Sequence, residues 1–209
     1  VPIPCGIPYI YGTVMDPIKN LIPVTKIGAG NNLDLVVANA TKIDRNRKVI
    51  VTEDKQEFGY DKLVIATGSK PLVPPINGVQ LKNVFPIKKN AMYLQEIQDK
   101  LNESKNVVVI GGGFIGAEMA EECKKHNPKL NVTIVEMQDH ILKLVYDEEF
   151  CLLAEEALKT QDVNLMLNEQ VTELTGNGTV KSVKLASGTV LDADMVILGI
   201  GAVPNTELA

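Results

Sequence analysis

The feature that most constrains the fold is a glycine-rich stretch, NVVVIGGGFIGAEMAEECKKH, at residues 106–126. An apolar run typical of a buried strand leads into Gly111, Gly113 and Gly116, spaced G-x-G-x-x-G, and a helical pattern follows. A second apolar run, NVTIVE, ends at Glu136, twenty residues after Gly116. Together these segments predict a βαβ unit that binds a dinucleotide.

Each residue of this pattern has a predicted role. Gly111 makes the tight turn, Gly113 lets a diphosphate approach the backbone, and Gly116 lets the helix pack on the strand. The helix N-terminus faces the phosphates, and Glu136 accepts hydrogen bonds from ribose hydroxyls. A glycine turn in a ligand-free α/β domain is the alternative, but it would not require an acid at this place. The predicted dinucleotide-binding residues are Gly111, Gly113, Phe114, Ile115, Gly116 and Glu136.

The residues after Glu136 indicate which dinucleotide binds. Met137 and Gln138 follow it, and no Lys or Arg occurs before Lys143. A 2′-phosphate would therefore meet a carboxylate and no cation, which favours NAD(H) over its phosphorylated form.

Composition excludes several other classes of function. The 209 residues carry 26 acidic and 21 basic side chains, a net charge of −5, with no basic patch for a nucleic acid. Three cysteines at long spacings and two histidines favour neither a disulfide framework nor a metal site. No apolar run reaches the roughly 20 residues of a membrane span, so the sequence predicts a cytoplasmic protein without membrane or nucleic-acid partners.

Two parts of the chain read alike and predict an internal duplication. YDKLVIATGSKP at 60–71 and ADMVILGIGAVP at 193–204 each indicate a buried strand that enters a glycine turn, and each follows a predicted hairpin, at 48–59 and 180–192. Chance similarity of short apolar strands is the alternative. A glycine turn placed before the first copy as Gly111 is placed before the second would precede Val1, so we expect the chain to be a fragment.

Two helices are predicted to carry structural cysteines. Cys123 belongs to the apolar stripe of helix 114–126, and Cys151 belongs to helix 147–161. Both are expected in the core, and the two histidines, His126 and His140, at the surface. The predicted buried face of the second helix consists of Phe150, Leu153, Ala154, Ala157 and Leu158.

The segment PCGIPY places Cys5 where the backbone must turn. Pro8 can occupy the first position of a short helix, which would aim free N–H groups at Cys5 and favour its reactive thiolate. Gly6 would keep the sulfur accessible. An exposed cysteine without a role is the alternative. No second cysteine lies within five residues, which excludes a neighbouring dithiol.

Four ordered motifs resemble the flavin-dependent pyridine nucleotide-disulfide oxidoreductases, most closely the single-cysteine branch with NADH oxidases, coenzyme A-disulfide reductases and NADH polysulfide reductases. The motifs are PCGIPYIYG, YDKLVIATGSKPLVPPINGV, VVVIGGGFIGAEMAEE and DMVILGIGAVPNTELA. The resemblance implies an α/β, Rossmann-like fold of three-layer ββα nucleotide-binding domains. It implies a partial FAD-binding domain at 1–83, an NAD(H)-binding domain at 84–205, and the return to the flavin domain at 206–209.

The resemblance also implies the chemistry. Hydride passes from NADH to FAD, and electrons pass through Cys5 to a disulfide, polysulfide, peroxide or oxygen. Glu118 and Gly201 would lie near the nicotinamide, and Ala66, Thr67 and Gly68 would contact the flavin. The parent enzyme would be a homodimer through a C-terminal domain. The segment before Cys5 lacks the Ser and aromatic residue that many members carry there, which leaves the acceptor open.

Two other functions remain as alternatives at this point. One is a flavin reductase that passes electrons to a redox protein, with Cys5 a bystander. The other is a non-catalytic NAD-binding module.

Overall fold

The computed structural model of the chain describes residues 2–23 and 32–209. The chain divides into two compact units. The larger unit consists of Val1–Ile22 and Pro71–Gly201, and the smaller unit consists of Pro23–Lys70 and Ala202–Ala209. The domain bounds expected from the resemblance stay a prediction.

The predicted βαβ unit is present among the described residues, as the strand Asn106–Ile110, the helix Phe114–His126 and the strand Asn131–Val135. In chain order the helices are α1 Ala91–Glu103, α2 Phe114–His126 and α3 Glu148–Thr160. The strands are β1 Ala40–Asp44, β2 Val49–Thr52, β3 Glu57–Gly59, β4 Ser69–Pro71, β5 Val84–Pro86, β6 Asn106–Ile110, β7 Asn131–Val135, β8 Val163–Met166, β9 Val171–Gly176, β10 Val180–Leu185, β11 Val190–Asp192, β12 Met195–Leu198 and β13 Ala202–Pro204. Shorter helical turns span Pro4–Gly6, Ile10–Val14 and Pro17–Asn20.

A parallel sheet forms the centre of the larger unit. Its strand order is β5-β12-β6-β7-β8, and every neighbouring pair is parallel. The strands are short and almost continuously apolar, as expected where both faces of a sheet are covered. Because parallel strands end at the same edge, the loops after β6, β7 and β12 come together there.

The two faces of this sheet pack against different layers. Along β6, Val107 and Val109 belong to the core shared with the helices, whereas Val108 and Ile110 belong to a second core. That second core includes residues of an antiparallel meander ordered β11-β10-β9. The result is helices, parallel sheet and meander in three layers, which confirms the predicted α/β Rossmann-like class. The predicted hairpin at 180–192 is formed by β10 and β11.

The predicted face of α3 is partly wrong. Cys151 and Leu158 are buried, but Phe150 and Leu153 are both 57% exposed. The helix instead turns Glu155 inward, where it is only 3% exposed. The reason is a polar contact: His140 and Lys159 bond to the Glu155 carboxylate and offset its desolvation.

The smaller unit contains an antiparallel sheet ordered β1-β2-β3, in which β2 and β3 form the predicted hairpin. The strand predicted within 60–71 is wrong for residues 61–68, which are not in a strand. Val64 is 84% exposed. No strand among residues 2–23 and 32–209 pairs with this segment, so its apolar side chains have no sheet to pack into. Only its end, β4, is extended and pairs with β13.

Residues 2–23 and 32–209 contain neither a candidate membrane span nor a candidate metal cluster. None of their helices has the length and apolar character that crossing a membrane requires. Within the same ranges, His, Cys, Asp and Glu side chains do not gather in threes as a metal ion would need.

Candidate functional site: a dinucleotide cleft

A cleft of about 680 Å³ opens at the carboxyl edge of the parallel sheet in the larger unit. Three segments form its floor: the glycine turn after β6, the end of β7, and Gly199–Gly201 after β12. Loops following parallel strands at such an edge are where doubly wound α/β folds bind their ligands. The volume is suited to a ligand of drug or cofactor size.

Two glycines of the turn are required by close packing. Gly111 has a φ of +100°, and a Cβ there would stand 2.9 Å from the carbonyl oxygen of Gly199. A Cβ on Gly116 would collide with the carbonyl oxygen of Gly111. The turn can therefore be tight, and α2 can lie against β6, only because both residues lack a side chain.

The space in front of Gly113 is open. A Cβ there would meet no heavy atom within 4 Å, although the residue has an ordinary extended backbone. Gly113 is also the N-cap of α2, whose first intrahelical bond runs from Ala117 N–H to the Gly113 carbonyl. The preceding N–H groups of the helix have no partner within it. They form a cradle for an anion, strengthened by the positive end of the helix dipole.

Glu136 directly follows β7 and lies beside this cradle. Its Oε2 accepts a hydrogen bond from Gly112 N–H at 2.6 Å, and its Oε1 accepts one from Gln138 N–H at 2.8 Å. A carboxylate has about four acceptor positions, so it can still accept from a ligand. The half-buried side chain is thus held in place before any ligand arrives.

Comparison with known proteins identifies the protein family of the chain that carries this site. A family model described as pyridine nucleotide-disulphide oxidoreductase matches residues 7–209. The chain belongs to this family. The resemblance noted from its motifs is confirmed.

Relatives within the pyridine nucleotide-disulphide oxidoreductase family match nearly all of the chain. It is 36% identical over 213 residues to the NAD(P)H sulfur oxidoreductase (CoA-dependent) of Pyrococcus abyssi, covering 99% of this chain and 46% of that protein. It is 33% identical over 217 residues to an NADH oxidase of Methanocaldococcus jannaschii, covering 99% and 47%. Reduced Bacillus anthracis CoADR-RHD has a similar crystal structure, with a TM-score of 0.86 at 33% identity over 98% of this chain and 38% of the other. The chain spans about half the length of the curated relatives it matches.

Several other predicted residues of the family pattern lie at the cleft. Phe114 and Ile115 line it, and the Phe114 ring packs edge-on against Tyr146 with centroids 5.7 Å apart. Gly201 also lines it with a φ of +104°, and its carbonyl accepts a hydrogen bond from Leu72 N–H at 3.0 Å. The structure therefore brings four of the predicted turn residues together with Glu136 and Gly201 at the cleft, whereas Gly116 packs against Gly111 and does not line it.

Glu118 belongs to α2, and it is not among the residues that line the cleft. Burial raises the pKa of its carboxyl, and the neighbouring carboxylates Glu121 and Glu122 raise it further. A nicotinamide-facing role for Glu118 stays a prediction.

Cys5 lies in the exposed turn Pro4–Gly6 of the larger unit and does not line the cleft. A helical segment does follow Pro8, but the N–H groups of Ile10 and Tyr11 donate to the carbonyls of Ile7 and Pro8. These two N–H groups are therefore not free to face Cys5, contrary to the expectation that unpaired N–H groups would favour its thiolate. Gly6 has a packing reason instead, since a Cβ there would strike the side-chain oxygen of Asn20.

The other two cysteines are in the core, as predicted. Cys123 and Cys151 are both fully buried. Burial, with a smaller effect from Glu122, raises the pKa of the Cys123 thiol to about 12. Neither is available for chemistry at the surface.

The residues expected to contact a flavin lie in the smaller unit. Ala66, Thr67 and Gly68 are exposed, and Gly68 has a φ of +72°. This turn is held by Asn205, whose N–H donates to the Gly68 carbonyl at 2.9 Å and whose carbonyl accepts from the Thr67 hydroxyl.

One residue at the cleft and its buried partner were not predicted from the sequence. His140, expected at the surface, lines the cleft, and its side chain is only 16% exposed. Its Nδ1 lies 2.9 Å from Oε1 of the buried Glu155. The sequence pattern gave little indication of this pairing, because His140 and Glu155 are fifteen positions apart and belong to different elements.

Proposed function

We propose that this chain is the NAD(H)-binding region and part of the flavin-binding region of an FAD-dependent NAD(P)H oxidoreductase. The reaction passes electrons from NADH through the flavin and Cys5 to a disulfide, polysulfide, peroxide or oxygen. One observation carries the proposal: the fixed Glu136 carboxylate stands beside the open backbone of Gly113 at the start of α2.

Different residues of the cleft bind different parts of NADH. The N–H groups at the start of α2 bind the diphosphate, which can reach them because Gly113 has no side chain. Glu136 accepts hydrogen bonds from the ribose hydroxyls. The apolar walls, which include Phe114 and Ile115, exclude water from the rest of the dinucleotide.

A preference for NADH over NADPH follows from the charges around Glu136. A 2′-phosphate would approach this carboxylate, and the adjoining Met137 and Gln138 are uncharged. Lys143 also lines the cleft, but its Nζ lies 3.8 Å from Oδ2 of Asp139. That pairing reduces the positive charge available to a phosphate.

The exposed turn at Ala66, Thr67 and Gly68 is the part of the described chain proposed to contact the flavin. Its open backbone at Gly68 fits close approach by a planar ring. When bound, FAD supplies the two-electron redox chemistry between NADH and the acceptor. The protein's part is to orient the two cofactors and to limit access of water.

Cys5 is proposed to carry electrons onward because it is the exposed thiol among the three. A lone exposed thiol can form a mixed disulfide with a thiol partner or be oxidised to a sulfenic acid. The name of the Pyrococcus abyssi relative, a CoA-dependent sulfur oxidoreductase, supports an acceptor of the sulfur class.

The first test is a titration of the purified chain with NADH and with NADPH, followed by calorimetry. We expect NADH to bind more tightly, and Glu136→Ala to weaken NADH binding at least about tenfold, or about 1.4 kcal/mol. Glu156→Ala is the matched control, because Glu156 is an exposed acid of α3 outside the cleft. Equal NADH affinity in the three proteins would refute the proposed binding mode.

The second test concerns Cys5 and uses a flavin-loaded preparation. Cys5→Ser should abolish NADH-dependent reduction of a disulfide or polysulfide while leaving NADH affinity unchanged. Unchanged turnover would favour a reductase that passes electrons to a redox protein. Failure of the chain to bind flavin, together with normal NADH binding, would leave only the NAD-binding role.

A further inference from the structure

The buried carboxylate of Glu155 lies against the loop that carries Glu136. Glu155 is 3% exposed, which is rare for an acid unless it is paired. Its Oε1 lies 2.9 Å from His140 Nδ1, and its Oε2 lies 3.3 Å from Lys159 Nζ. Lys159 belongs to the same helix, so among residues 2–23 and 32–209 His140 is the bonded partner of this carboxylate that also lines the cleft.

The loop from Glu136 to Leu142, which we call the ribose loop, is fastened at both ends to one residue of the glycine turn. Gly112 N–H donates to Glu136 Oε2 at 2.6 Å, and Leu142 N–H donates to the Gly112 carbonyl at 2.8 Å. Between these bonds, Ile141 is fully buried, and its Cγ2 lies 2.8 Å from where a Cβ on Gly112 would stand. Gly112 and the ribose loop are therefore held as one piece.

His140 is the residue immediately before Ile141, at the point where this piece meets α3. Its two ring nitrogens both face carboxylates of α3, Nδ1 facing Glu155 and Nε2 lying 3.9 Å from Glu148 Oε1. The imidazole is thus bonded to α3 through Nδ1, and its Nε2 lies near a second carboxylate of the same helix. His140 can therefore influence the binding of a dinucleotide by fixing the position of the ribose loop.

We propose that His140 is a positioning residue for the dinucleotide site. Its bond to the buried Glu155 carboxylate fixes the ribose loop on α3, and this sets the position of Glu136 relative to the glycine turn. The inference rests on the proposed NADH-binding function. It adds that NADH affinity depends on a histidine–glutamate pair that does not itself bond to the cofactor.

The central variant is His140→Leu, which keeps much of the side-chain volume and removes the bond to Glu155. We expect its dissociation constant for NADH to rise about tenfold, because small displacements of binding groups are costly. His140→Asn should recover most of the wild-type affinity, since its amide can donate near the Nδ1 position. If His140→Leu does not fold, Glu155→Gln takes its place, with a smaller rise expected.

Lys124→Met is the matched control for a loss of buried polar contacts. Lys124 is 4% exposed and donates to the carbonyls of Pro128 and Leu130, and it does not line the cleft. This variant should lower the melting temperature without changing NADH affinity. A purely structural role for His140 predicts the same behaviour for His140→Leu, and that result would overturn the inference.

A second readout does not depend on NADH. Hydrogen exchange of the Gly112 and Leu142 amides should be faster in His140→Leu than in the wild type, and unchanged in Lys124→Met. Wild-type protein that fails to bind NADH would refute the proposed function. Wild-type protein that binds NADH, with unchanged affinity and exchange in His140→Leu, would refute the positioning role alone.

Discussion

The carbonyl oxygen of Gly111 occupies the space that a Cβ atom on Gly116 would need. Alanine favours a helix over glycine by about 1 kcal/mol, but overpacking against backbone costs about 1–3 kcal/mol or more. We therefore expect Gly116→Ala to lower the free energy of unfolding by about 1–2 kcal/mol, since the close approach to a backbone oxygen puts the overpacking cost at the upper end of its range. Urea denaturation would measure this, and a stability equal to or above wild type would show that α2 can move away from β6.

Gly113→Ala should have the opposite profile. The new methyl group meets open space and an allowed backbone, but alanine is less favourable than glycine at an N-cap, so the melting temperature should be unchanged or slightly lower. The same methyl group would stand where the diphosphate approaches, so NADH affinity should fall about tenfold or more, or at least about 1.4 kcal/mol. Normal affinity in this variant would mean that the dinucleotide binds elsewhere.

The three thiols should differ sharply in reactivity. Cys5 is exposed, whereas Cys123 and Cys151 are buried, and the pKa of Cys123 is raised to about 12. Because the thiolate is the nucleophile, Cys123 is protonated and unreactive at pH 8. Iodoacetamide at pH 8 should label one thiol in the folded protein, none in Cys5→Ser and all three in urea, as counted by intact mass. Labelling of more than one thiol in the folded protein would contradict the structure.

Asp194 should make stability depend on pH. Burial opposes its ionisation, yet the pKa of its carboxyl is held below its ordinary value. The backbone N–H groups of Lys105 and Asn106 each donate to its Oδ2 at 2.9 Å, and nearby lysines add favourable charge. A lowered pKa contributes stability above the unfolded value of about 3.9, and this contribution is lost as the pH falls through the folded value.

Asp194→Asn should accordingly cost about 1 kcal/mol at pH 7 and much less at pH 3, since hydrogen bonds to a charged group are stronger than to a neutral one. Urea midpoints at the two pH values measure the difference. An equal loss at both would mean that the carboxylate charge contributes nothing.

The parts of the site predicted from sequence are those fixed by local rules. Gly111, Gly113 and Gly116 lie within six residues of the chain. Gly111 and Gly116 meet steric requirements of the turn and of the helix, whereas Gly113 leaves the start of α2 open. Glu136 follows β7, whose pairing with β6 places it next to that turn. Spacing along the chain therefore sufficed to find these residues.

The parts that were missed depend on contacts between distant residues. The helical pattern of α3 favoured burial of Phe150 and Leu153, but the buried position goes to Glu155 because His140 supplies its partner. No local rule makes a glutamate a core residue. The same pairing explains why His140, a polar residue in a loop, lies at the cleft.

The sheet order has a consequence for how this chain is made. Strand β12 lies between β5 and β6, although it follows β6 by more than eighty residues. During synthesis from the N-terminus, β5 and β6 therefore emerge long before the strand that joins them. Until Met195–Leu198 leave the ribosome, each presents an open apolar edge, and closure of so distant a pairing is slow. The nascent larger unit is thus most exposed to aggregation just before its last parallel strand arrives.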